Sequence, residues 1–169
     1  SGNFPFTAAG RYNDQLFGEV TATTFLKPIR AANIPDSVDL TSSEYSMKLE
    51  IKLDSAETFG DTLSVSEFSI YEITSLWRAT SHRINTEITY NNAEEIGNFM
   101  IGSEDSLIVE LSDSWKDKYA AFINNSEDNV DSLYRYEFHG LAIVPKDGSS
   151  KLSYINTSET QFLITDDAQ

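Results

Sequence analysis

The amino-acid sequence predicts an all-β fold, an antiparallel jelly-roll-like β-sandwich of about eight strands with one short surface helix. Short runs of alternating apolar and polar residues dominate the chain, and turn-rich segments separate them. Such runs are typical of strands that bury one face and expose the other. Only one stretch repeats its apolar residues at helical spacing. Because 169 residues suit one hydrophobic core and no repeat or linker divides the chain, we expect a single domain over residues 1–169.

The clearest strand pattern lies at residues 45–53, where Met47, Leu49, Ile51 and Leu53 share one face and Lys48, Glu50 and Lys52 share the other. The runs at 63–70 and 134–143 change the parity of their apolar residues near 66–67 and 139–140, which predicts a bulge in the first and a bulge or kink in the second. The other strand candidates are 20–26, 84–90, 106–111, 152–155 and 162–164. Expected loops are 80–84, 90–102, 124–132 and the hairpin loop 145–149.

Residues 115–124 carry the helical pattern. Their large apolar side chains recur at three- and four-residue steps, in Trp115, Tyr119, Phe122 and Ile123. Ser112 or Ser114 would cap the N-terminus of this helix. The stripe would form an exposed aromatic platform only if it faced outward, and Phe122 and Ile123 on nearly the same face favour burial instead.

The composition argues against several classes of partner. The formal net charge is −15, from 12 Lys and Arg against 27 Asp and Glu, so the surface should repel nucleic acid and anionic membranes. Cysteine is absent, which excludes disulfides, thiolate zinc sites and cysteine nucleophiles. No apolar run approaches the roughly 20 residues of a membrane helix. We therefore expect no nucleic-acid partner and no direct membrane insertion of this domain.

A series of short motifs runs in order along most of the chain. It comprises D-Q-L-F-G at residues 14–18, D-S-V at 36–38, F-G-D at 59–61, Y-E-I at 71–73 and F-H-G-L at 138–141. The series resembles a family of Bacteroidota cell-surface lipoproteins that is classified only as a domain of unknown function. The resemblance implies an extracellular or outer-membrane-surface location, with the targeting segment not present in this chain. The chain departs from the family in lacking a lipidation cysteine, so membrane anchoring is only what the resemblance implies. The resemblance assigns no catalytic residue.

A second pair of motifs consists of I-Y-E-I-T-S-L-W at residues 70–77 and E-I-T-Y-N-N at 87–92. The pair is similar to the signature of DNRLRE-type secreted domains, which are jelly rolls, some of them polysaccharide-binding. This resemblance implies a jelly roll and a binding function. It also assigns no catalytic residue.

Catalytic motifs are missing from the sequence. His82 and His139 are the two histidines, and no metalloprotease helix, phosphate loop, dinucleotide-binding turn or nucleophile elbow occurs. We expect a structural role for His139. A glycoside hydrolase with two carboxylates across a cleft is harder to exclude. Glu50 and Glu137, however, have Lys or Arg on their own strand face, which is typical of solvated cross-strand pairs. We therefore predict no catalytic residue and no enzyme.

Carbohydrate binding uses aromatic rings, on which the apolar face of a sugar stacks, together with polar groups that bond its hydroxyls. Trp77 is followed by the one local concentration of positive charge in this acidic chain, and a hairpin would bring residues 90–92 close to it. The predicted binding site, suited to an acidic polysaccharide, comprises Trp77, Arg78, His82, Arg83, Tyr90 and Asn92. The alternative is that Trp77 caps the core and its polar neighbours only face water.

The sequence thus predicts a non-catalytic cell-surface or secreted module that recognises carbohydrate. The alternative is a structural module that offers an edge strand or apolar patch to another cell-envelope protein. A glycan binder should show a groove with exposed aromatic rings near Trp77, whereas an assembly module should show a flat hydrophobic patch. No cofactor is predicted. A calcium site is the one alternative left open, because residues 127–131 and Asn13 with Asp14 offer hard oxygen ligands.

Overall fold

A computed structural model describes residues 6–16, 18–31, 34, 38–61, 63–77, 88–123, 132–146 and 150–167. Within these residues nine strands form two antiparallel sheets, and two helices accompany them. The strands are β1 (Phe6–Asp14), β2 (Gly18–Ala22), β3 (Thr24–Leu26), β4 (Tyr45–Gly60), β5 (Ser66–Glu72), β6 (Gly97–Ile101), β7 (Ser106–Glu110), β8 (Leu141–Pro145) and β9 (Lys151–Asp166). The helices are α1 (Asp113–Ile123) and α2 (Ser132–Tyr136).

The strand order is that of a jelly roll. One sheet has the order β2-β1-β9-β4-β7 and the other the order β3-β8-β5-β6. Apart from the added edge strand β2, each sheet contributes four strands, and every named strand pair is antiparallel. The two layers enclose one cluster of buried apolar side chains. The predicted all-β antiparallel sandwich is therefore confirmed.

The alternation at residues 45–53 determines which face of β4 is buried. Met47, Leu49 and Ile51 are at most 1% exposed and point into the core. On the other face, the side-chain amide of Gln161 in β9 donates to Glu50 at 3.0 Å, and Lys52 lies 3.8 Å from the same carboxylate. The predicted faces of this strand are confirmed. Glu50 makes structural contacts on this outer face.

Helix α1 packs its aromatic stripe onto the core, as predicted. The Ser112 hydroxyl accepts the backbone N–H of Trp115 at 3.3 Å, which is an N-cap contact. Trp115 is 2% exposed and Tyr119 fully buried. The Tyr119 hydroxyl accepts the backbone N–H of Ala31 at 2.9 Å, and burial raises the pKa of this phenol to about 12. The stripe is therefore no exposed platform.

The strand predicted at residues 134–143 is wrong in its first half. Residues 132–136 form α2, in which Tyr134 points inward at 8% exposure while Tyr136 is 69% exposed. Phe138, two residues after the helix, is also buried, at 1% exposure. Tyr134 and Phe138 are four residues apart, so their spacing also fits one face of a helical turn. Of the bulge or kink predicted near 139–140, the bulge is wrong, because β8 begins at Leu141, after the helix and its connection. Gly140, with a φ of 105°, lies in that connection.

The strand predicted at 63–65 is also wrong. Leu63 and Val65 are 93% and 56% exposed and belong to a turn in which the Asp61 carboxylate accepts the Leu63 N–H at 3.1 Å. β5 begins only at Ser66, so no bulge is needed near residues 66–67. The loop predicted at 90–102 contains β6, and β1 was not predicted.

The strand predicted at 84–90 is not found in its described residues 88–90, where Tyr90 makes only an isolated β-bridge. The other strand predictions are confirmed in outline. Residues 20–26 fall in β2 and β3, 106–111 in β7, and 152–155 with 162–164 in one continuous strand, β9. The predicted loop 80–84, the first part of the strand predicted at 84–90 (84–87), and most of the loops predicted at 124–132 and 145–149 (124–131 and 147–149) lie outside the described part of the chain. None of the helices in the described ranges is long and apolar enough to cross a membrane.

Candidate functional site

The outer face of the four-stranded sheet carries a row of aromatic residues. In β5, Phe68 and Ile70 are fully buried in the core, so Tyr71, one residue further on, points to the outer face. Tyr71 pairs with Ala142 of β8, and Ala142 pairs with Phe25 of β3. Directly paired residues share a sheet face, so the small Ala142 lies between the two rings. Its exposure of 0% shows that its neighbours cover it.

Tyr90 and Trp77 extend this row. Tyr90 forms an isolated β-bridge with Ile73, and its ring stacks on Tyr71 with centroids 5.4 Å apart and planes 22° apart. The Phe25 ring lies 6.5 Å from Tyr90 and 6.2 Å from Trp77. We call Phe25, Tyr71, Trp77 and Tyr90 the aromatic surface; each of these side chains is half-buried.

The chain around Trp77 and Tyr90 folds back on itself, as the hairpin hypothesis requires. The backbone N–H of Thr74 donates to the carbonyl of Thr89 at 2.9 Å, and that of Asn91 donates to the carbonyl of Glu72 at 2.8 Å. The Thr74 and Thr89 hydroxyl oxygens lie 3.0 Å apart. Trp77 and Tyr90 therefore both contact Phe25 although they are distant along the chain.

Trp77 is held in place by its indole N–H, which donates to the carbonyl of His139 at 2.5 Å. His139 precedes Gly140, whose φ of 105° is a backbone conformation that favours glycine. The backbone N–H of Ile73 donates to the Gly140 carbonyl at 2.9 Å, which ties this connection to the end of β5. The indole is thus oriented by backbone groups and still half-exposed.

A groove of about 330 Å³ opens beside Trp77. The rings of Phe25 and Trp77 line it together with Lys27, Arg135 and His139. The ammonium of Lys27 donates to the Arg135 carbonyl at 2.9 Å and lies 5.1 Å from the centroid of the Tyr134 ring. Burial and the neighbouring Arg135 charge lower the pKa of Lys27. The groove therefore combines aromatic surface with positive charge.

Within the described residues, the structure brings together two of the six predicted site residues. Trp77 and Tyr90 meet on the aromatic surface, while Asn92 is an exposed residue of the following turn, where its backbone N–H donates to the Tyr90 carbonyl at 3.1 Å. The predicted cations Arg78, His82 and Arg83 lie outside the described residues. Sequence reasoning missed Phe25, Tyr71, Lys27 and Arg135. The outward position of Tyr71 after Phe68 and Ile70 was the one available signal.

Of the two carboxylates considered for catalysis, Glu50 accepts the side-chain amide of Gln161, and Glu137 is an exposed residue of the turn after α2. Glu67 lies 3.7 Å from Lys146, and no Asp or Glu of the described residues lines the groove beside Trp77. A second, more open depression of about 360 Å³ contains Glu95, Glu110 and Asp113. The Ser69 hydroxyl donates to Glu95 at 2.7 Å and lowers the pKa of this carboxyl, which is opposite to what a general acid requires.

The calcium candidates remain without a site in the described part of the chain. Residues 127–131 lie outside it, and the Asp14 carboxylate accepts the backbone N–H of Leu16 at 2.7 Å in the β1–β2 turn. No group of three or more His, Asp and Glu side chains in the described ranges is arranged to hold a metal ion.

Comparisons with known proteins add no relative. No protein-family model matches the chain, and neither curated proteins nor solved structures give a significant match.

Proposed function

We propose that this chain is a non-catalytic carbohydrate-binding module of the cell surface or of secreted proteins, and that it holds a polysaccharide on the aromatic surface. The observation that carries the proposal is the row of rings at Phe25, Tyr71, Tyr90 and Trp77 across one sheet face, with a groove at its end. Aromatic rings that stay half-exposed on a rigid sheet offer flat apolar area at low entropic cost.

The surroundings of the rings suit a hydroxylated ligand. The outer face continues from Tyr71 to Ser69 of β5, and Ser69 pairs with Asn98 of β6. The Asn98 amide donates to Glu95 at 2.9 Å, and the Ser69 hydroxyl donates to the same carboxylate. Ser69 is 3% exposed, so Glu95 and Asn98, which are exposed, are the groups available to sugar hydroxyls, which need donors and acceptors once they leave water.

Assembly with another envelope protein is the alternative. It requires a flat apolar patch. The most exposed large apolar side chains of the described residues lie on separate elements: Leu16 in the turn after β1, Leu63 in the turn after β4, Leu76 after β5, Tyr136 on α2 and Ile108 on β7. Of these, Leu76 lines the groove beside Trp77. This distribution favours the aromatic surface as the binding face.

The proposal is tested by screening soluble polysaccharides with affinity electrophoresis and then measuring Kd by calorimetry. Trp77→Ala and Tyr90→Ala are each expected to weaken binding about tenfold or more, because each removes one stacking ring. Tyr154→Ala is the matched control, since Tyr154 is a half-buried aromatic residue on the outer face of the other sheet. Its Kd should not change.

Three outcomes would overturn the proposal. Equal loss of binding in Tyr154→Ala and Trp77→Ala would show that binding does not depend specifically on the aromatic surface. Binding of no polysaccharide, together with capture of an envelope protein, would favour the assembly module. Release of shortened sugars by the unaltered protein would make it an enzyme. Circular dichroism of each variant checks that a loss of binding is not a loss of folding.

A further inference from the structure

Lys27 and Arg135 are cations for which the described residues supply no carboxylate partner. Arg11, Lys52, Lys118 and Lys146 each lie within ion-pair distance of a glutamate. Two other lysines, Lys116 and Lys151, are buried and donate to backbone carbonyls. Among the described residues, no Asp or Glu lies within 4.0 Å of the charged groups of Lys27 or Arg135. In a chain with a net charge of −15, available carboxylates are plentiful, so this lack of pairing is informative.

Both cations line the groove beside Trp77. Their charges are close enough for that of Arg135 to lower the pKa of Lys27. Holding two like charges together costs free energy, and a bound anion would offset that cost. The described lining of the groove supplies no such anion from the protein itself.

A structural role accounts for only part of this arrangement. The Lys27 ammonium donates to the carbonyl of Arg135 in the last turn of α2, where a cation is favoured. It also lies over the Tyr134 and Phe138 rings. These contacts use one of its three N–H donors. They do not account for the position of the Arg135 guanidinium, whose side chain is exposed, beside a second cation.

We infer that Lys27 and Arg135 form an anion subsite that binds the carboxylate or sulfate ester of an acidic sugar while Trp77 stacks on the sugar ring. The inference rests on the proposed carbohydrate-binding function and names its substrate class. A guanidinium offers two parallel N–H donors that match the two oxygens of a carboxylate or sulfate, and an ammonium adds a point charge. Trp77 and Phe25 lie in the same groove, so one sugar unit can meet both kinds of group.

The test compares matched charged and neutral polysaccharides. Polygalacturonate, alginate and hyaluronan are measured against their carboxyl-reduced forms, and a sulfated galactan against its desulfated form. The unaltered protein should bind one charged form at least about tenfold more tightly than its neutral match. Which pair shows the preference identifies the anion as carboxylate or sulfate. The preference should decline as salt rises, because exposed charges are screened.

Arg135→Gln should remove most of this preference while keeping the affinity for the neutral polymer, because the stacking rings remain. Lys27→Gln should act in the same direction. Lys48→Gln is the control. No carboxylate of the described residues lies within ion-pair distance of Lys48, which is half-buried on the outer face of β4, and its replacement changes the net charge equally. It should leave the preference unchanged.

The results separate this inference from the proposed function. If binding depends on Trp77 but charged and neutral forms bind equally, or Arg135→Gln keeps the preference, the anion subsite is refuted and the carbohydrate-binding module stands. If Lys48→Gln abolishes the preference as fully as Arg135→Gln, the effect is one of net charge and the subsite is refuted. If the unaltered protein binds no polysaccharide, both fail.

Discussion

Replacement of Trp115 by alanine is expected to destabilise the fold by about 3–5 kcal/mol, which is the usual cost of deleting a large buried aromatic side chain. Trp115 is 2% exposed, and its ring centroid lies 5.3 Å from that of Phe138 and 6.0 Å from that of Phe162. It therefore joins α1 to β9 and to the segment after α2. Most domains of this kind are stable by about 5–15 kcal/mol, so the variant should unfold at much lower urea concentration.

Trp115→Phe separates packing from hydrogen bonding. The Trp115 indole N–H is buried and finds no acceptor among the described residues, so phenylalanine removes an unpaired donor and keeps most of the ring contacts. Its cost should be well below that of alanine. Tyr136→Ala, which removes an aromatic ring that is 69% exposed on α2, should cost less than about 1 kcal/mol. A similar loss in Trp115→Ala and Tyr136→Ala would place Trp115 outside the core.

Gly140→Ala is the second variant with a large expected effect, about 3 kcal/mol or more of lost stability. Gly140 has a φ of 105°, and a Cβ atom there would lie 2.5 Å from the Leu26 carbonyl oxygen. The overlap is with backbone, so relief requires β3 or the connection before β8 to move. That connection supplies the His139 carbonyl that accepts the Trp77 indole N–H, so polysaccharide binding should weaken as well.

Gly18→Ala is the matched control for this variant. Gly18 also has a positive φ, 78°, but an added Cβ there meets nothing within 4 Å. It should cost only the conformational strain of about 1–2 kcal/mol. Urea unfolding followed by circular dichroism measures both variants, and calorimetry measures their Kd. Equal stability losses at the two glycines would mean that the close approach of Leu26 to Gly140 is wrong.

Local patterns in the sequence were sufficient to predict secondary structure where the spacing of apolar residues fitted only a strand or only a helix. The strict alternation of Met47, Leu49 and Ile51 allowed only a strand, and the cap at Ser112 followed by an aromatic stripe allowed only a helix. Tyr134, Tyr136 and Phe138 were ambiguous. Their two-residue spacing fits a strand, whereas the four-residue spacing of Tyr134 and Phe138 fits one face of a helical turn. Tyr134 and Phe138 are buried and Tyr136 is exposed, which identifies the helical turn.

The candidate site was only half predictable because most of it is assembled by strand pairing. Trp77 and Tyr90 could be connected through a short hairpin. Phe25 reaches them only because β3 and β5 both pair with β8, and Arg135 reaches the groove only because residues 132–136 are helical. No local pattern contains these long-range contacts. Positive charge near Trp77 was predicted from Arg78, His82 and Arg83, which lie outside the described residues; within those residues Lys27 and Arg135 supply it.

The most direct measurement is a nuclear magnetic resonance titration of the intact chain with an acidic oligosaccharide that it binds. The largest shift changes should fall on the Trp77 indole N–H and on the backbone amides of Phe25, Tyr71 and Tyr90, with the sugar unchanged at the end of the titration. Changes confined to the five-stranded sheet, or the appearance of cleaved sugar, would contradict binding at the aromatic surface without catalysis.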